Sequence, residues 1–247
     1  MRRIVIVGAT SAIAEHCARA WLREQASDVV LCGRELARLE RVAADLRVRS
    51  PASRIDSTLV DFEDPAAIES QVRAICEAGA PDIVLIAHGL LPDQAGCQEH
   101  LDVAWNALQV NGVSPVLFAE AFAGHLQRAG RGTLVVIGSV AGDRGRRRNY
   151  VYGAGKALVE RYVEGLQHRF AASAVKVVLA KPGPTATPMT ARLGERPRKL
   201  ASVDLVARQI VDGARRGSPV VYTPPLWRWI MLVLRHLPRF IFNKLDI

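Results

Sequence analysis

The sequence lacks the features that mark several large classes of protein. Aromatic residues make up only 6% of the chain, and neither a nucleic-acid-binding motif nor an aromatic stacking platform accompanies its basic residues. We therefore expect no nucleic-acid partner, although a net charge of +9 favours anionic ligands such as phosphorylated compounds or acidic lipid. The cysteines show no paired metal-ligand spacing, which indicates a reducing, cytoplasmic setting and no metal site. They are Cys17, Cys32, Cys76 and Cys97.

Internal repeats and low-complexity linkers are also missing. A membrane-spanning helix needs about 20 largely uncharged residues, which the C-terminal segment 226–247 does not offer. The segment MRRIVIVGATSAIA has the basic start and apolar run of a signal peptide, but its short run continues into a strand and a turn, so we interpret it as part of the fold. With 247 residues and 49% hydrophobic content, the chain suits one domain with a sizeable core.

What the chain does contain is an alternation of strand-like and helix-like segments. Apolar runs rich in Val and Ile lie at 4–7, 29–32, 83–87, 134–138, 175–180 and 219–223. Helical patterns lie between them at 12–25, 35–47, 64–78, roughly 98–128, 150–171 and 202–215. This order predicts an α/β single-domain Rossmann fold, a doubly wound parallel sheet whose ligand crevice lies beyond the carboxyl ends of the strands. We place this domain at 1–225 and an amphipathic, basic C-terminal tail at 226–247.

Two tyrosines and a lysine stand close together in RNYVYGAGKA. On a helix, Tyr152 and Lys156 lie on one face, whereas Tyr150 diverges from them. A lysine beside a phenol lowers the pKa of the phenol, as a proton donor to a carbonyl requires. The alternative is an ordinary helix start with a core tyrosine and an exposed lysine.

The segment VGATSAIAEH follows the first strand and opens the first helix, where backbone N–H groups can face a pyrophosphate. Gly8 would make the turn, while Ala12 and Ala14 stand where the dinucleotide fingerprint has glycines. An ordinary strand-to-helix turn is the alternative. The candidate phosphate contacts are Gly8, Thr10, Ser11, Ala12 and Ile13.

The second strand ends in Gly33 and Arg34, with no carboxylate to bind a free ribose 2′-hydroxyl. Arg34 can face a 2′-phosphate instead, which favours NADPH over NADH as the cofactor. A solvated arginine at a helix start is the alternative, and NADH then remains open.

Taken together, these motifs resemble the short-chain dehydrogenase/reductase family over nearly the whole chain. The resemblance rests on GATSAIA, Asp61 after the third strand, Asn111, Ser139 thirteen residues before Tyr152, YGAGK and PGPTAT. It implies an NAD(P)-dependent oxidoreductase that is a homodimer or homotetramer. Tyr152 would protonate the carbonyl oxygen, Ser139 would bind that oxygen, and Lys156 would hold the nicotinamide ribose.

The same resemblance implies further roles. Asn111 would fix a water in the proton relay, and Asp61 would meet the adenine. Thr187 fits the family pattern better than Thr185, and His88 stands in IAHG where the family usually has a structural asparagine, so we do not expect a catalytic His88. The remaining cofactor contacts implied are Ala87, Gly89, Pro182, Gly183, Thr185 and Thr187.

A narrower resemblance concerns GDRGRRRNYVYGAGK and the tail VLRHLPRFIFNKLDI. Both are similar to the reductase components of decaprenylphosphoryl-ribose 2′-epimerases. This implies a 2-keto pentofuranose carried on a polyprenyl phosphate as substrate, a partner oxidase that supplies the ketone, and a role in cell wall biosynthesis. A soluble or other lipid ketone remains the alternative, as does a dinucleotide-binding protein without catalysis.

The tail and a basic loop suggest contact with a membrane surface. A basic segment with tryptophans and aliphatic residues suits the headgroup boundary, which would place the protein peripherally at the inner face of the cell membrane. The apolar tail residues could instead pack on the domain or on another subunit. The loop could meet a substrate phosphate or anionic lipid, or be merely solvated, and its basic residues are Arg144, Arg146, Arg147 and Arg148.

Overall fold

The strands form one parallel sheet, as the sequence predicts. The computed structural model describes residues 1–191 and 200–245, and there the strand order is β3-β2-β1-β4-β5-β6-β7. The strands are β1 (Arg2–Val7), β2 (Ser27–Gly33), β3 (Arg54–Leu59), β4 (Ile83–Ile86), β5 (Gly132–Ile137), β6 (Val175–Pro182) and β7 (Val220–Thr223). The order reverses between β1 and β4, so the crevice for a ligand lies at the carboxyl ends of these two strands.

Helices cover both faces of this sheet. They are α1 (Ala12–Glu24), α2 (Leu36–Arg49), α3 (Pro65–Glu77), α4 (Gln94–Glu99), α5 (Leu101–Leu108), α6 (Ser114–Ala129), α7 (Tyr150–Arg169), α8 (Pro188–Ala191), α9 (Val203–Arg216), α10 (Leu226–His236) and α11 (Arg239–Phe242). The arrangement confirms the predicted doubly wound α/β fold.

The central strands contribute alternate side chains to two hydrophobic cores, one on each face of the sheet. In β1, Ile4 and Ile6 pack with α1, α2 and α9, whereas Val5 and Val7 pack with α3, α6 and α7. Alternate side chains of a strand point to opposite faces, and both faces are covered here. This is why the central strands read as uninterrupted apolar runs.

Two elements differ from the expectations drawn from apolar patterns. The edge strand β3, RIDSTL, has no apolar run because among its side chains only Ile55 is buried. The single helix expected at 98–128 is broken into α4, α5 and α6, with a π-helical turn at Gln109–Val113 between α5 and α6. That turn contains Gly112 and runs directly into Pro115, residues that weaken regular α-helical hydrogen bonding.

The predicted tail forms two helices, α10 and α11, that lie against the domain. Met231 is fully buried, while the outer face of α10 exposes Leu226, Trp229, Leu232 and Val233. No helix among the described residues is long and apolar enough to cross a membrane. The last two residues of the predicted tail, 246 and 247, lie outside the described residues.

Candidate active site

Tyr152 and Lys156 lie together at the carboxyl end of β5, on the first turns of α7. Lys156 is buried, and its Nζ donates a hydrogen bond to the carbonyl oxygen of Ile137 at 3.0 Å. The same Nζ lies 5.9 Å from the centroid of the Tyr152 ring. Tyr150 diverges from this pair, as predicted from helical spacing, and is 43% exposed.

Ser139 follows β5 and faces the phenol of Tyr152. Its Oγ accepts a hydrogen bond from the backbone N–H of Ala141 at 3.1 Å, which fixes the side chain at the start of a short 3₁₀ turn. The Ser139 hydroxyl also acts on the Tyr152 phenol, whose pKa it lowers. A hydroxyl and a phenol are therefore held side by side, the arrangement that can bind one carbonyl oxygen from two directions.

Burial shifts the pKa of both members of the pair. Burial raises the pKa of Tyr152, and the hydrogen bond from Ser139 and the charge of Arg146 act in the opposite direction. Burial lowers the pKa of Lys156 from 10.5 to about 8. Desolvation therefore dominates at the phenol, and the groups that oppose it are Ser139 and Arg146, while the effect of Lys156 on Tyr152 stays a prediction.

The π-helical turn positions Asn111 beside this group. Its Oδ1 accepts a hydrogen bond from the backbone N–H of Leu90 at 2.9 Å. Its Nδ2 is buried and has no hydrogen-bond partner among the described residues. A buried amide with an unused donor is costly, so this donor is available to a polar group such as the predicted relay water.

The turn after β1 has the form of a phosphate cradle. Gly8 has a φ of +77°, and a Cβ there would lie 2.6 Å from the backbone nitrogen of His88, so only glycine fits. Ser11 precedes α1 without capping it through its side chain, which leaves N–H groups of the first turn unpaired. Thr10, Ser11, Ala12 and Ile13 are partly exposed along this turn, whereas Ala14 is buried in the core.

The residues expected at the ribose end lie at the carboxyl ends of β2 and β3. The Arg34 guanidinium is exposed, 3.8 Å from a carboxylate oxygen of Glu63 and 5.9 Å from the centroid of the Phe62 ring. Asp61 accepts the backbone N–H of Glu63 at 2.9 Å. Gly33, which precedes Arg34, is buried. An exposed guanidinium with only a long contact to Glu63 is accessible to an anion.

His88 is buried beside the site and packs against the core, and the expectation that it is not catalytic stays a prediction. Its Nε2 lies 3.0 Å from Ser114 Oγ, and its ring packs on Phe62 at a centroid distance of 4.6 Å. Burial lowers the pKa of His88 to about 3, so the ring is neutral at working pH. Its neighbours Ala87 and Gly89 bring the chain from β4 past the Asn111 side chain.

The segment after β6 contains the last predicted contacts. Pro182 and Gly183 are buried, and the Thr185 hydroxyl donates to the carbonyl oxygen of Gly183 at 2.8 Å. Thr187 is partly exposed, and its N–H donates to Thr190 Oγ1 at 3.0 Å. The Thr187 hydroxyl also contacts Thr190 Oγ1 at 3.3 Å, but Thr187 is partly exposed and Thr185 is buried, so Thr187 is the more accessible of the two.

The sequence interpretation missed a buried charge cluster behind the site. Lys181 Nζ donates to Asp143 at 2.6 Å and to Glu160 at 2.7 Å, and all three side chains are almost fully buried. Arg235 of α10 lies 3.5 Å from Asp143, and the Tyr222 hydroxyl donates to the same carboxylate at 3.2 Å. A lysine inside the apolar strand VKVVLAKP is the signal that could have revealed it, since a buried lysine needs a partner.

The arginines of the basic loop differ in their contacts and in their exposure. Arg144 donates to the carbonyl oxygens of Leu234 and Leu237, the latter at 2.7 Å, and its guanidinium lies 3.7 Å from the centroid of the Phe242 ring. Arg144 therefore holds the tail, and the structure does not present it to the crevice as the sequence suggested. Arg147 and Arg148 are exposed, while Arg146 is partly buried.

A parallel sheet with this nucleotide cradle and a serine, tyrosine and lysine at its carboxyl edge defines an NAD(P)-dependent oxidoreductase. Residues 2–198 match the family model of short chain dehydrogenases, and the chain belongs to that family. It is 32% identical over 244 residues to an uncharacterized oxidoreductase of Streptomyces coelicolor, which covers 99% of this chain and 96% of the relative.

Two further similarities agree with this family. An uncharacterized oxidoreductase of Mycobacterium tuberculosis is 33% identical over 248 residues, with 98% of this chain and 96% of the relative covered. The fold is similar to a short-chain dehydrogenase of Sphingobium yanoikuyae solved in complex with NADPH, with a TM-score of 0.84 and 24% identity over 99% of this chain and 96% of that chain.

Proposed function

We propose that the protein is an NADPH-dependent carbonyl reductase that uses Tyr152 as its proton donor. The observation that carries this proposal is that Ser139, Tyr152 and the buried Lys156 stand together at the carboxyl end of β5. The alternatives are an enzyme that works with NADH, and a dinucleotide-binding protein without catalysis. A dinucleotide-binding protein without catalysis would not explain why Ser139, Tyr152 and Lys156 lie together at the crevice.

The residues of the crevice fit a dinucleotide. The Gly8 turn allows backbone to approach a pyrophosphate, and the uncapped first turn of α1 offers N–H groups to it. Arg34 supports NADPH, because a guanidinium can pair with a 2′-phosphate. Bound NADPH would supply a hydride to the carbonyl carbon of the substrate.

Residues of the chain would bind the carbonyl oxygen of the substrate and transfer the proton to it. Ser139 and Tyr152 would hydrogen-bond the carbonyl oxygen, and the phenol proton would pass to that oxygen as the alcohol forms. Lys156, whose pKa is about 8, is mostly protonated at pH 7 and would stabilise the phenolate left behind. Asn111 Nδ2, which has no described partner, would hold the water that returns a proton to the phenolate.

The matched pair Tyr152→Phe and Tyr150→Phe tests this assignment. Removing the proton donor should lower the rate of single-turnover NADPH oxidation by about 10² to 10⁴, while removing the exposed Tyr150 hydroxyl should cost far less. Equal losses in the two variants would show that Tyr152 is not the donor.

For the substrate, we propose a keto-sugar carried on a polyprenyl phosphate, presented from an anionic membrane surface. The resemblance of segments 142–156 and 233–247 to the reductases of decaprenylphosphoryl-ribose epimerisation supports this substrate. The outer face of α10 also supports it, because Trp229 is 63% and Val233 is 63% exposed on a helix that carries Arg228 and Arg235. An exposed apolar face flanked by cations suits the headgroup boundary.

Flotation with anionic vesicles at low salt tests the membrane contact. The double variant Trp229→Glu with Val233→Glu should lose vesicle binding, because it places two carboxylates on the proposed docking face. The matched control is Trp105→Glu on α5, which changes a tryptophan of similar exposure, 65%, on another helix and should bind as the parent does. Flotation that is absent in the parent, or equal in all three proteins, would refute membrane docking, and a change of oligomeric state in the double variant would identify a second copy as the occupant.

A further inference from the structure

A second cavity lies beside the catalytic group, between the basic loop and the tail. It has a volume of about 330 Å³. Residues of the loop and of α7 form one wall, and residues of α11 and the segment after it form the other. The described residues that line it are Gly145, Arg146, Arg147, Tyr150, Phe242, Asn243 and Leu245.

The lining of this cavity suits an oxyanion. It holds the Arg146 guanidinium, the Tyr150 phenol and the Asn243 carboxamide, and none of the described residues that line it carries a carboxylate. A guanidinium group binds a phosphoryl or carboxylate group through two parallel, charge-assisted hydrogen bonds. The volume is at the small end of ligand pockets, which suits one substituent of a substrate rather than a whole nucleotide or a folded partner.

The Arg146 guanidinium has a buried donor that an anion could pair with. Its Nε is buried and has no hydrogen-bond partner among the residues that the structure describes. Burial lowers the pKa of Arg146, whereas Asp143 raises it. Leaving a donor of a charged group unpaired away from water is costly, so an oxyanion that accepts from it would recover that free energy.

The nearby acidic residue does not already serve as this oxyanion. The Oδ1 of Asp143 accepts from Lys181 and Tyr222, and the Oδ2 of Asp143 has no hydrogen-bond partner among the described residues. The two buried carboxylates, Asp143 and Glu160, already face the cations Lys181, Arg235 and Arg161. Within the described part of the chain, Arg146 is therefore an additional positive charge at the edge of this cluster.

The cavity is close enough to the proton donor to hold part of the same substrate. Tyr150 and Tyr152 both stand on the first turn of α7, and the charge of Arg146 lowers the pKa of the Tyr152 phenol. Tyr150, whose side chain diverges from the catalytic pair, lines the cavity. The two tyrosines thus face two adjoining sites, the reacting carbonyl at Tyr152 and the cavity at Tyr150.

We infer that this cavity binds an anionic substituent, phosphoryl or carboxylate, of the ketone that Tyr152 protonates, with Arg146 as the anchoring residue. The inference rests on the proposed carbonyl reduction and adds a charge requirement to its substrate. It also gives the tail a role in substrate recognition, since Phe242, Asn243 and Leu245 complete the cavity.

Matched ketones test the inference. A series of keto-alkyl phosphates of increasing chain length is compared with the corresponding neutral keto-alcohols at saturating NADPH, and the readout is the ratio of kcat/KM within each pair. The parent should favour the phosphate by about 10- to 100-fold at the best chain length, as expected for charge-assisted hydrogen bonds. The Arg146→Met variant should bring that ratio near one, and Arg146→Lys should retain part of it.

A ratio is used because Arg146 also acts on Tyr152, so its removal can change the rate for every ketone. The control for net charge is Arg73→Met on α3, whose side chain is 58% exposed and pairs with Glu69. This control should keep the full preference. A parent ratio near one at every chain length, or a ratio that survives in Arg146→Met, would overturn the inference.

Two further arms separate the remaining outcomes. If no ketone is reduced, the proposed function fails, and calorimetric binding of the keto-alkyl phosphates to the NADP-loaded parent and to Arg146→Met then decides the subsite alone: equal binding, or none, overturns it. A keto-sugar phosphodiester with a short polyprenyl chain, offered in detergent, distinguishes lipid-borne from free phosphate. Either preference supports the subsite, and the larger kcat/KM identifies the source.

Discussion

Lys156 should make the free energy of unfolding depend on pH in a way that its replacement abolishes. Its pKa is lowered from 10.5 to about 8 by burial, so the folded state binds the lysine proton less tightly than the unfolded state does. Below pH 8 both states are protonated and the folded state carries a penalty of about 3 kcal/mol. Between about pH 8 and 10.5 the folded state releases the proton first, so the penalty shrinks as pH rises.

The expected change in the free energy of unfolding falls within a pH range that is convenient to measure. From pH 7 to pH 9.5, the contribution of Lys156 to the free energy of unfolding should rise by about 2 kcal/mol. Urea unfolding at 25 °C of the parent and of Lys156→Met, at several pH values, gives the difference directly. Loss of the hydrogen bond to Ile137 lowers the stability of the variant by about 1 to 3 kcal/mol, but that loss is independent of pH.

The comparison isolates Lys156 because the buried cysteines and tyrosines titrate alike in both proteins. The control is Lys176→Met on β6, an exposed lysine whose removal should leave the pH profile of the parent unchanged. Parallel profiles for the parent and Lys156→Met would show that Lys156 titrates normally, and the proposed electrostatics of the active site would then be wrong.

Two further predictions concern the cofactor and the tail. Arg34→Ala should weaken NADPH binding by about 1.5 to 3 kcal/mol while sparing NADH, because only NADPH carries the 2′-phosphate; titration of both cofactors, with Arg54→Ala as the control, decides it, and equal losses would refute the pairing. Gly183→Ala would place a Cβ 2.0 Å from Trp227 Nε1, so it should lower the free energy of unfolding by about 1 to 3 kcal/mol. The control is Gly165→Ala on α7, where a Cβ meets nothing within 4 Å, and urea unfolding that shows no difference between the two variants would contradict the packing.

The sequence predicted the architecture because burial and pattern agree in this fold. Strands that are covered on both faces must be apolar throughout, and β1, β2, β4, β5 and β6 could therefore be recognised from Val and Ile alone. The edge strand β3 could not be recognised in this way, because only Ile55 of its side chains is buried and the strand needs no apolar pattern.

The local chemistry of the site was predictable where it depends on helical spacing. Tyr152 and Lys156 share a helix face and Tyr150 does not, which follows from residue numbers alone. The direction of the Tyr152 pKa shift was not predictable, because it depends on how deeply the phenol is buried. The contacts of Arg144 with Leu234 and Leu237 join residues about ninety positions apart, and no local pattern contains that information.

The contact between Arg144 and the tail has a consequence for the order in which the molecule is completed. The hydrogen bond from Arg144 to Leu237 spans 93 positions in the sequence, and Arg235 reaches back to Asp143 over a similar separation. A nascent chain that has emerged as far as residue 225 already contains the seven described strands and Asn111, Ser139, Tyr152 and Lys156. Lys181 and Tyr222 can already hold Asp143, but the tail groups that contact Arg144 and Asp143 are still missing. During synthesis from the N-terminus, the sheet can form first, and the loop leading into α7 gains its contacts with the tail only when α10 and α11 arrive.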